Sequence, residues 1–322
     1  MGRFSFLLAA SVLSMHLACS GDDSSSGAGG DGGSGGGIVT GTGGSGVGGN
    51  GSGGNSAAAA VCTRWQSDRA DMAEGTWSGD VAACNAGDVS ADGRANAVKL
   101  VNLFRYLAGL PPVTNDPARD AKNQACALMM HANGMLSHTP PTSWTCYSGE
   151  GAEAAGSSNI ASGPGVMAVD MYMSDFGNEG TMGHRRWILS DTLGPIGIGS
   201  TSGASCMWVI GGAGATMSPW IAWPPAGIVP SGALGVSFVP TDQSGWTLQS
   251  SMIDLTNAQV EITDGGDPRQ VDVQVLGQGY GSTWAIRMVP NGWTSQPGHT
   301  YKVHVTGAAS PIDYEVDVID CP

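Results

Sequence analysis

Positive charge is scarce in this sequence. Of its 322 residues only 13 are lysine or arginine, against 27 that are aspartate or glutamate, and the net charge is -14. No run of lysines and arginines interrupts the acidic background. Because such a chain repels a phosphate backbone, we expect no nucleic-acid partner. The apolar content of 41% is nevertheless sufficient to fill the cores of about two domains.

The first apolar run of the chain is too short to span a bilayer comfortably. Residues 1–20 read MGRFSFLLAASVLSMHLACS, with one arginine, an apolar stretch and small residues before Cys19. This pattern predicts a secretory signal peptide over residues 1–19. Its end, Leu17-Ala18-Cys19, is similar to a bacterial lipobox, although His16 departs from the usual apolar residue. We therefore expect Cys19 to be lipidated and to anchor an outer-membrane or cell-surface lipoprotein, with simple secretion as the alternative.

Cysteine usage agrees with export. Without Cys19 the chain has an even six cysteines, which in an oxidising compartment predicts three disulfides among fifteen conceivable connectivities. Their spacing does not match a zinc ribbon. We expect neighbours to pair, as Cys62–Cys84 and Cys126–Cys146, which leaves Cys206–Cys321 as a link between domains.

Residues 20–58 are almost all glycine, serine, alanine and aspartate, and predict a flexible tether. Its glycine runs have no flanking strand and helix, so they are not a phosphate-binding loop. Three helices follow, over about 90–107, 116–133 and 165–176, and GHRRWIL (183–189) predicts a short helix or turn. PIGIG and CMWVIGG predict short buried strands.

Strict alternation of apolar and polar residues begins after residue 219. Five stretches repeat an apolar residue at every second position, and they start near Val260, Val271, Trp284, Tyr301 and Tyr314. This spacing predicts an all-β, immunoglobulin-like sandwich over residues 220–322. The segment TDGGDP is better explained as a hairpin turn than as a calcium loop. Trp220, Trp223 and the two following prolines are expected to pack the domain junction.

Several segments between residues 95 and 212 resemble one family. They are an Asn-x-x-Arg helix leading to Gly-Leu-Pro, an alanine-rich helix leading to His138, then SSNIA, YMSDFG and GHRRWIL. In order and spacing they are similar to the CAP superfamily, also called SCP-like, and nearer to its bacterial secreted branch. The resemblance implies an α+β fold, with a three-layer α-β-α CAP sandwich over residues 59–219 ahead of the β-sandwich.

The resemblance also implies a cleft with two histidines and two acidic residues. By position these are His138, His184 and Asp175, while Ser158 stands where the family has a glutamate. Glu150 or Glu153, slightly upstream, is a conceivable substitute. Two imidazoles and a carboxylate can hold Zn²⁺ or another divalent metal through His138 and His184, or form a hydrogen-bonded network.

The expected function is binding of a small or extended ligand, lipids included, or of a surface protein. Catalysis is less expected, because no nucleophile stands out. A metal-dependent hydrolase of peptide or envelope polymer is one alternative, although Ser158 removes its most obvious general base. A structural or adhesive surface protein with a vestigial cleft is another.

Overall fold

The computed structural model describes residues 52–212, 214 and 218–322. The predicted signal peptide, Cys19 and residues 20–51 of the predicted tether lie outside these residues. The last part of that tether, residues 52–58, belongs to helix α1, which spans Ser52–Arg69. Alanine is the strongest helix former, residues 57–60 are all alanine, and Val61 and Trp65 pack against the core.

The CAP-like part consists of five further helices and a three-stranded sheet. The helices are α2 (Ala91–Leu107), α3 (Pro117–Asn133), α4 (Gly149–Gly156), α5 (Gly165–Ser174) and α6 (Gly183–Ile188). The strands are β1 (Ser158–Ala161), β2 (Gly197–Ser200) and β3 (Ser205–Trp208), in the antiparallel order β1-β3-β2. All three long predicted helices and the short one therefore form.

The ends of α3 follow the signals read from the sequence. The Asp116 side chain accepts hydrogen bonds from the backbone N–H groups of Ala118 and Arg119, and Gly134 takes the left-handed conformation after the helix. No helix in the described part of the chain is long and apolar enough to cross a membrane.

The sheet is covered on both faces, as the predicted three-layer arrangement requires. On one side Cys126, Ala127, Met129 and Met130 of α3 pack with Ile160 of β1. On the other side α2 and α5 pack in a second apolar cluster, whose members from these helices and the sheet are Leu100, Val101, Phe104, Val166, Val169, Met173, Ile198 and Met207. The α-β-α architecture is therefore present.

The C-terminal part forms two packed sheets. The first contains β4 (Ile221–Trp223), β6 (Trp246–Ser250), β10 (Trp284–Pro290) and β9 (Val271–Val275), in that order. The second contains β5 (Gly227–Pro230), β12 (Ile312–Ile319), β11 (Thr300–Thr306), β7 (Gln259–Asp264) and β8 (Asp267–Arg269). Two single-turn helices, α7 (Ser231–Leu234) and α8 (Thr241–Ser244), lie between β5 and β6. This confirms the predicted β-sandwich.

The five predicted strands all form, but one is less buried than expected. In β11 and β12 inward and outward residues alternate as predicted. In β9, Val273 and Val275 remain 37% and 47% exposed, because β9 is the last strand of its sheet and nothing covers it completely. The TDGGDP segment is the expected hairpin, with β7 and β8 joined through Gly265 and Gly266.

All six described cysteines are paired, but every predicted pairing is wrong. The disulfides are Cys62–Cys321, Cys84–Cys146 and Cys126–Cys206. Cys126 on α3 faces Cys206 on β3 across the helix and sheet layers, and α1 lies beside the C-terminus, so topology decides the pairing and not proximity in sequence. Three disulfides are characteristic of an exported protein.

The two parts of the chain share one apolar core. Trp223 of β4 is 1% exposed and its ring lies 5.5 Å, centroid to centroid, from that of Phe104 in α2. This is the packing role expected for the tryptophan. Helix α1 contacts both α2 and β5, and its Cys62 forms a disulfide with Cys321, which follows the last strand, β12. The division near residue 219 stays a prediction.

Candidate functional site

Asp175 is placed by the end of helix α5. It follows the last helical residue and adopts a left-handed conformation with φ of 54°, while its backbone N–H donates to the carbonyl of Met171. Aspartate tolerates this conformation better than most residues. The turn directs the carboxylate back into the protein, where Asp175 is only 1% exposed.

His184 lies in the first turn of α6 and is held by that carboxylate. Its Nδ1 lies 2.9 Å from Oδ1 of Asp175. The Asn178 amide donates to the same oxygen, at 2.9 Å, and the backbone N–H of Arg185 donates to Oδ2, at 3.1 Å. Asn178 Nδ2 also lies 2.9 Å from His184 Nδ1, but the amide donates to the carboxylate. Since the carboxylate oxygens accept, we assign the proton of the neutral ring to Nδ1.

The other ring nitrogen of His184 has no partner. The residue is 3% exposed, and its Nε2 is buried without a hydrogen bond in the described structure. With the proton on Nδ1, Nε2 of the neutral ring is an acceptor. The Tyr172 ring lies 5.1 Å from the imidazole, and Asn159 Nδ2 donates to the His184 carbonyl. An unsatisfied buried acceptor costs stability, so its presence in a fixed orientation points to a role in binding.

His138 lies beyond α3 and is half-buried. Its Nδ1 is 2.8 Å from the carbonyl oxygen of Ala155, which can only accept, so Nδ1 is again the protonated nitrogen. Burial lowers the pKa of His138, the hydrogen bond to Ala155 opposes this, and the nearby His184 lowers it further.

The three other cleft contributors considered from the sequence do not join this group. Glu150 and Glu153 are exposed on α4, and both carboxylate oxygens of Glu153 accept from Lys122 Nζ. Ser158 is buried, but its hydroxyl donates to Asn123 in α3. Side chains alternate along a strand, so Ser158 faces the α3 layer while its neighbour Asn159 faces His184. Their contribution to the cleft stays a prediction.

The residues do not fit a resident zinc ion. Zinc sites use three or four protein ligands. Both oxygens of Asp175 are occupied by His184, Asn178 and the Arg185 backbone, so the two histidines could supply at most two ligands. Among the residues that the structure describes, no group of three or more histidine, cysteine, aspartate or glutamate side chains could hold a metal. The group is instead a hydrogen-bonded network, the second arrangement considered from the sequence.

The two arginines after His184 are structural. Arg185 is fully buried and donates to the carbonyls of Met173 and Ser174 at the end of α5, and to Gly245 and Ser244 before β6. Arg186 is 1% exposed and donates to carbonyls on the loop that follows β9. Burial lowers the pKa of both guanidinium groups to about 10, so they remain charged at neutral pH. They join α6 to the β-sandwich.

Three residues of the network were not found by sequence reasoning. Asn178 supports Asp175, Tyr172 packs against His184, and Asn159 holds the His184 backbone. Asn159 belongs to the SSNIA segment, where attention to alternation along the strand would have pointed to it and away from Ser158. Asn178 lies in an irregular turn that carries no periodic signal.

Comparison with known proteins identifies a family for part of the chain. The model of the cysteine-rich secretory protein (CAP) family matches residues 98–210. A crystal structure of an extracellular protein containing an SCP domain from Bacillus anthracis is similar at 20% identity, with a TM-score of 0.28. The match covers 38% of this chain and 44% of that one, less than half of either. No curated protein matches the chain. Residues 98–210, which carry His138, Asp175 and His184, therefore form a domain of the cysteine-rich secretory protein family.

Proposed function

We propose that this exported protein binds a small or extended ligand, lipids included, at the His138, Asp175 and His184 network of its CAP domain. The observation that supports this most is the buried Nε2 of His184, which lacks a partner while Nδ1 is fixed by Asp175. An imidazole that is already oriented before the ligand arrives favours binding, since ordering the side chain during binding would reduce affinity.

The network favours a ligand that donates a hydrogen bond. Nδ1 of His184 is engaged with an oxygen acceptor, so in its neutral form this ring offers Nε2 as an acceptor. A hydroxyl or amine on a largely apolar molecule would satisfy His184 without bringing an uncompensated negative charge into the site. Amphiphilic alcohols are the ligand class that this pattern favours.

The second part of the proposal concerns location. Lipidation at Cys19 would place the folded part at the cell surface or outer membrane, where a lipid-like ligand or a surface protein is at hand. Mass spectrometry of the mature protein tests this directly. An unmodified N-terminus would leave a secreted binder and remove the anchor, without affecting the proposal for the site.

Binding is tested with a long-chain alcohol and a sterol as probes. We expect the ¹⁵N resonance of His184 Nε2 to shift on titration with one of them, and the shift to be lost in Asp175→Asn. The His138→Ala/His184→Ala double variant should lose binding, while His304→Ala, which removes a partly exposed histidine on β11, should retain it. Binding that survives the double variant would reject the site.

The same variants distinguish ligand binding from the two alternative functions, a hydrolase and an adhesive protein. A hydrolase would turn over peptide or envelope polymer and lose that turnover in His184→Ala. A purely adhesive protein would bind neither probe and would tolerate the substitution.

A further inference from the structure

A groove of about 640 Å³ lies between the CAP domain and the β-sandwich, away from the histidine network. Trp187 of α6 and Thr192 line one side of it. Ser251, Gln278, Ser282 and Thr283 line the other. Its volume is within the range of roughly 300–1,000 Å³ that small-molecule sites occupy, and domain junctions are a common place for them.

The sandwich side of the groove is fixed by Arg186. This buried side chain donates to the carbonyls of Gly277 and Ser282 and to the Ser282 hydroxyl, at 2.6, 3.0 and 3.1 Å. At Gly281, with φ of +68°, a Cβ atom would lie 2.4 Å from the Arg186 carbonyl oxygen. Glycine therefore permits the loop to touch α6 directly, and the groove is formed before any ligand arrives.

The lining is neutral in a protein with a net charge of -14. All of the described residues that line the groove are serine, threonine, glutamine, glycine or tryptophan. Hydroxyl and amide groups both donate and accept hydrogen bonds, and the indole adds an apolar surface with one donor. A charged ligand would find no opposite charge here, whereas a ligand with many hydroxyl groups could match each of these side chains.

A peptide is a poorer match for the same surface. Extended peptides are recognised along an exposed strand edge or through apolar pockets. Trp187 belongs to a helix, while Ser251 and residues 278–283 lie just outside the strands, so the groove offers no ladder of backbone groups.

We propose that this groove binds a neutral saccharide chain, with the indole of Trp187 against a sugar ring and the hydroxyl and amide groups of Thr192, Gln278, Ser282 and Thr283 hydrogen-bonded to its hydroxyls. The site is separate from the histidine network and does not depend on the function proposed for it.

The test is isothermal titration of the intact mature protein with neutral hexasaccharides of β-1,4-glucose, α-1,4-glucose and β-1,4-N-acetylglucosamine. Polygalacturonate serves as the charged comparison. We expect one neutral hexasaccharide to bind, and Thr283→Arg, which fills the groove with a charged side chain, to weaken binding by about tenfold or more. Gln278→Ala should weaken it by a smaller factor. Both positions are exposed, so neither change should disturb folding.

Thr142→Arg is the matched control, since Thr142 is exposed in the loop between α3 and α4 and should leave binding unchanged. The proposal is overturned if no neutral hexasaccharide binds at millimolar concentration, if Thr283→Arg binds as tightly as the unaltered protein, or if polygalacturonate binds equally well.

Discussion

His184 Nδ1 lies 2.9 Å from Asp175 Oδ1, with both residues almost completely buried. The carboxylate determines which ring nitrogen carries the proton and therefore which one faces a ligand. The relationship joins the end of α5 to the start of α6, so the orientation of the imidazole depends on a helix terminus and not on a flexible loop.

Asp175→Asn should release the orientation of His184. The amide cannot accept from Nδ1–H, Asn178 and the Arg185 backbone with equal strength, so we expect the ¹⁵N spectrum to show a mixture of tautomers in place of one. A buried, charge-assisted network loses about 1–3 kcal/mol of unfolding free energy when one partner is removed. Urea unfolding measures that loss. Asp272→Asn on exposed β9 is the control and should change neither quantity.

His138 should make stability depend on pH in the mildly acidic range. Burial lowers its folded-state pKa below the ordinary value of 6.5, so below about that pH the unfolded chain binds the proton more readily than the folded one. Unfolding free energy should therefore fall as pH decreases from 6.5 towards the lowered pKa, and be unaffected by this group above 6.5.

His138→Gln is expected to remove that part of the slope. Burial raises the pKa of Asp120 and Asp170, which acts in the opposite direction and at more acidic pH, so the comparison belongs between about pH 5 and 7. Equal slopes for the two proteins in this window would show that His138 does not titrate differently on unfolding.

Zinc should neither bind stoichiometrically nor raise the thermal midpoint. Asp175 is satisfied by its own partners, so the two histidines of the described site could supply at most two ligands, fewer than a zinc site uses. A ligand raises the thermal midpoint only if it binds the folded protein. Calorimetric titration with Zn²⁺, beside the His138→Ala/His184→Ala variant, is the measurement. One equivalent bound by the unaltered protein and none by the double variant would contradict this prediction.

Local patterns in the sequence predicted the secondary structure well. Helices α2, α3 and α5 and strands β11 and β12 are regular elements with one buried face, so their periodicity identifies them. Short strands such as β4 and β8, of three residues each, leave no periodic signal and were missed. Helix α1 was missed because its glycine- and serine-rich beginning looks like the tether that precedes it.

Contacts between distant segments could not be predicted in the same way. Cys62 pairs with Cys321 because α1 folds against the C-terminal sandwich. The residues around each cysteine carry no sequence pattern that indicates this contact. The substitutes considered for the missing family glutamate stay predictions, and Glu153 is exposed on α4, where it pairs with Lys122. His138, Asp175 and His184 were predicted from the family motif, which assigns them by their positions along the chain.

Arg185 should be among the most sensitive positions in the chain. Replacing it with alanine leaves buried carbonyls of Met173, Ser174 and Gly245 without donors and uncouples α5 from the start of β6. Loss of a buried, multiply bonded charge typically costs about 3–5 kcal/mol. Arg185→Lys should recover only part of it, because an ammonium group cannot reproduce the planar fork. Lys302→Arg, at an exposed ion pair with Glu315, should stay within about 0.5 kcal/mol. Chemical denaturation ranks the three variants, and an Arg185→Ala protein as stable as Lys302→Arg would contradict this role.

Comparing the Cys62–Cys321 and Cys84–Cys146 disulfides tests whether crosslinks stabilise this protein by restricting its unfolded chain. Cys62–Cys321 closes a separation of 259 residues and Cys84–Cys146 one of 62. If a crosslink acts by restricting the unfolded chain, the longer loop should contribute about 1 kcal/mol more, from the logarithm of the loop ratio. We expect Cys62→Ser/Cys321→Ser to lose more unfolding free energy than Cys84→Ser/Cys146→Ser in urea.

The longer crosslink also holds α1 on the sandwich, so its removal should expose Trp65, whose fluorescence then shifts to the red. A smaller loss for the longer loop would mean that native contacts around Cys84 outweigh loop entropy.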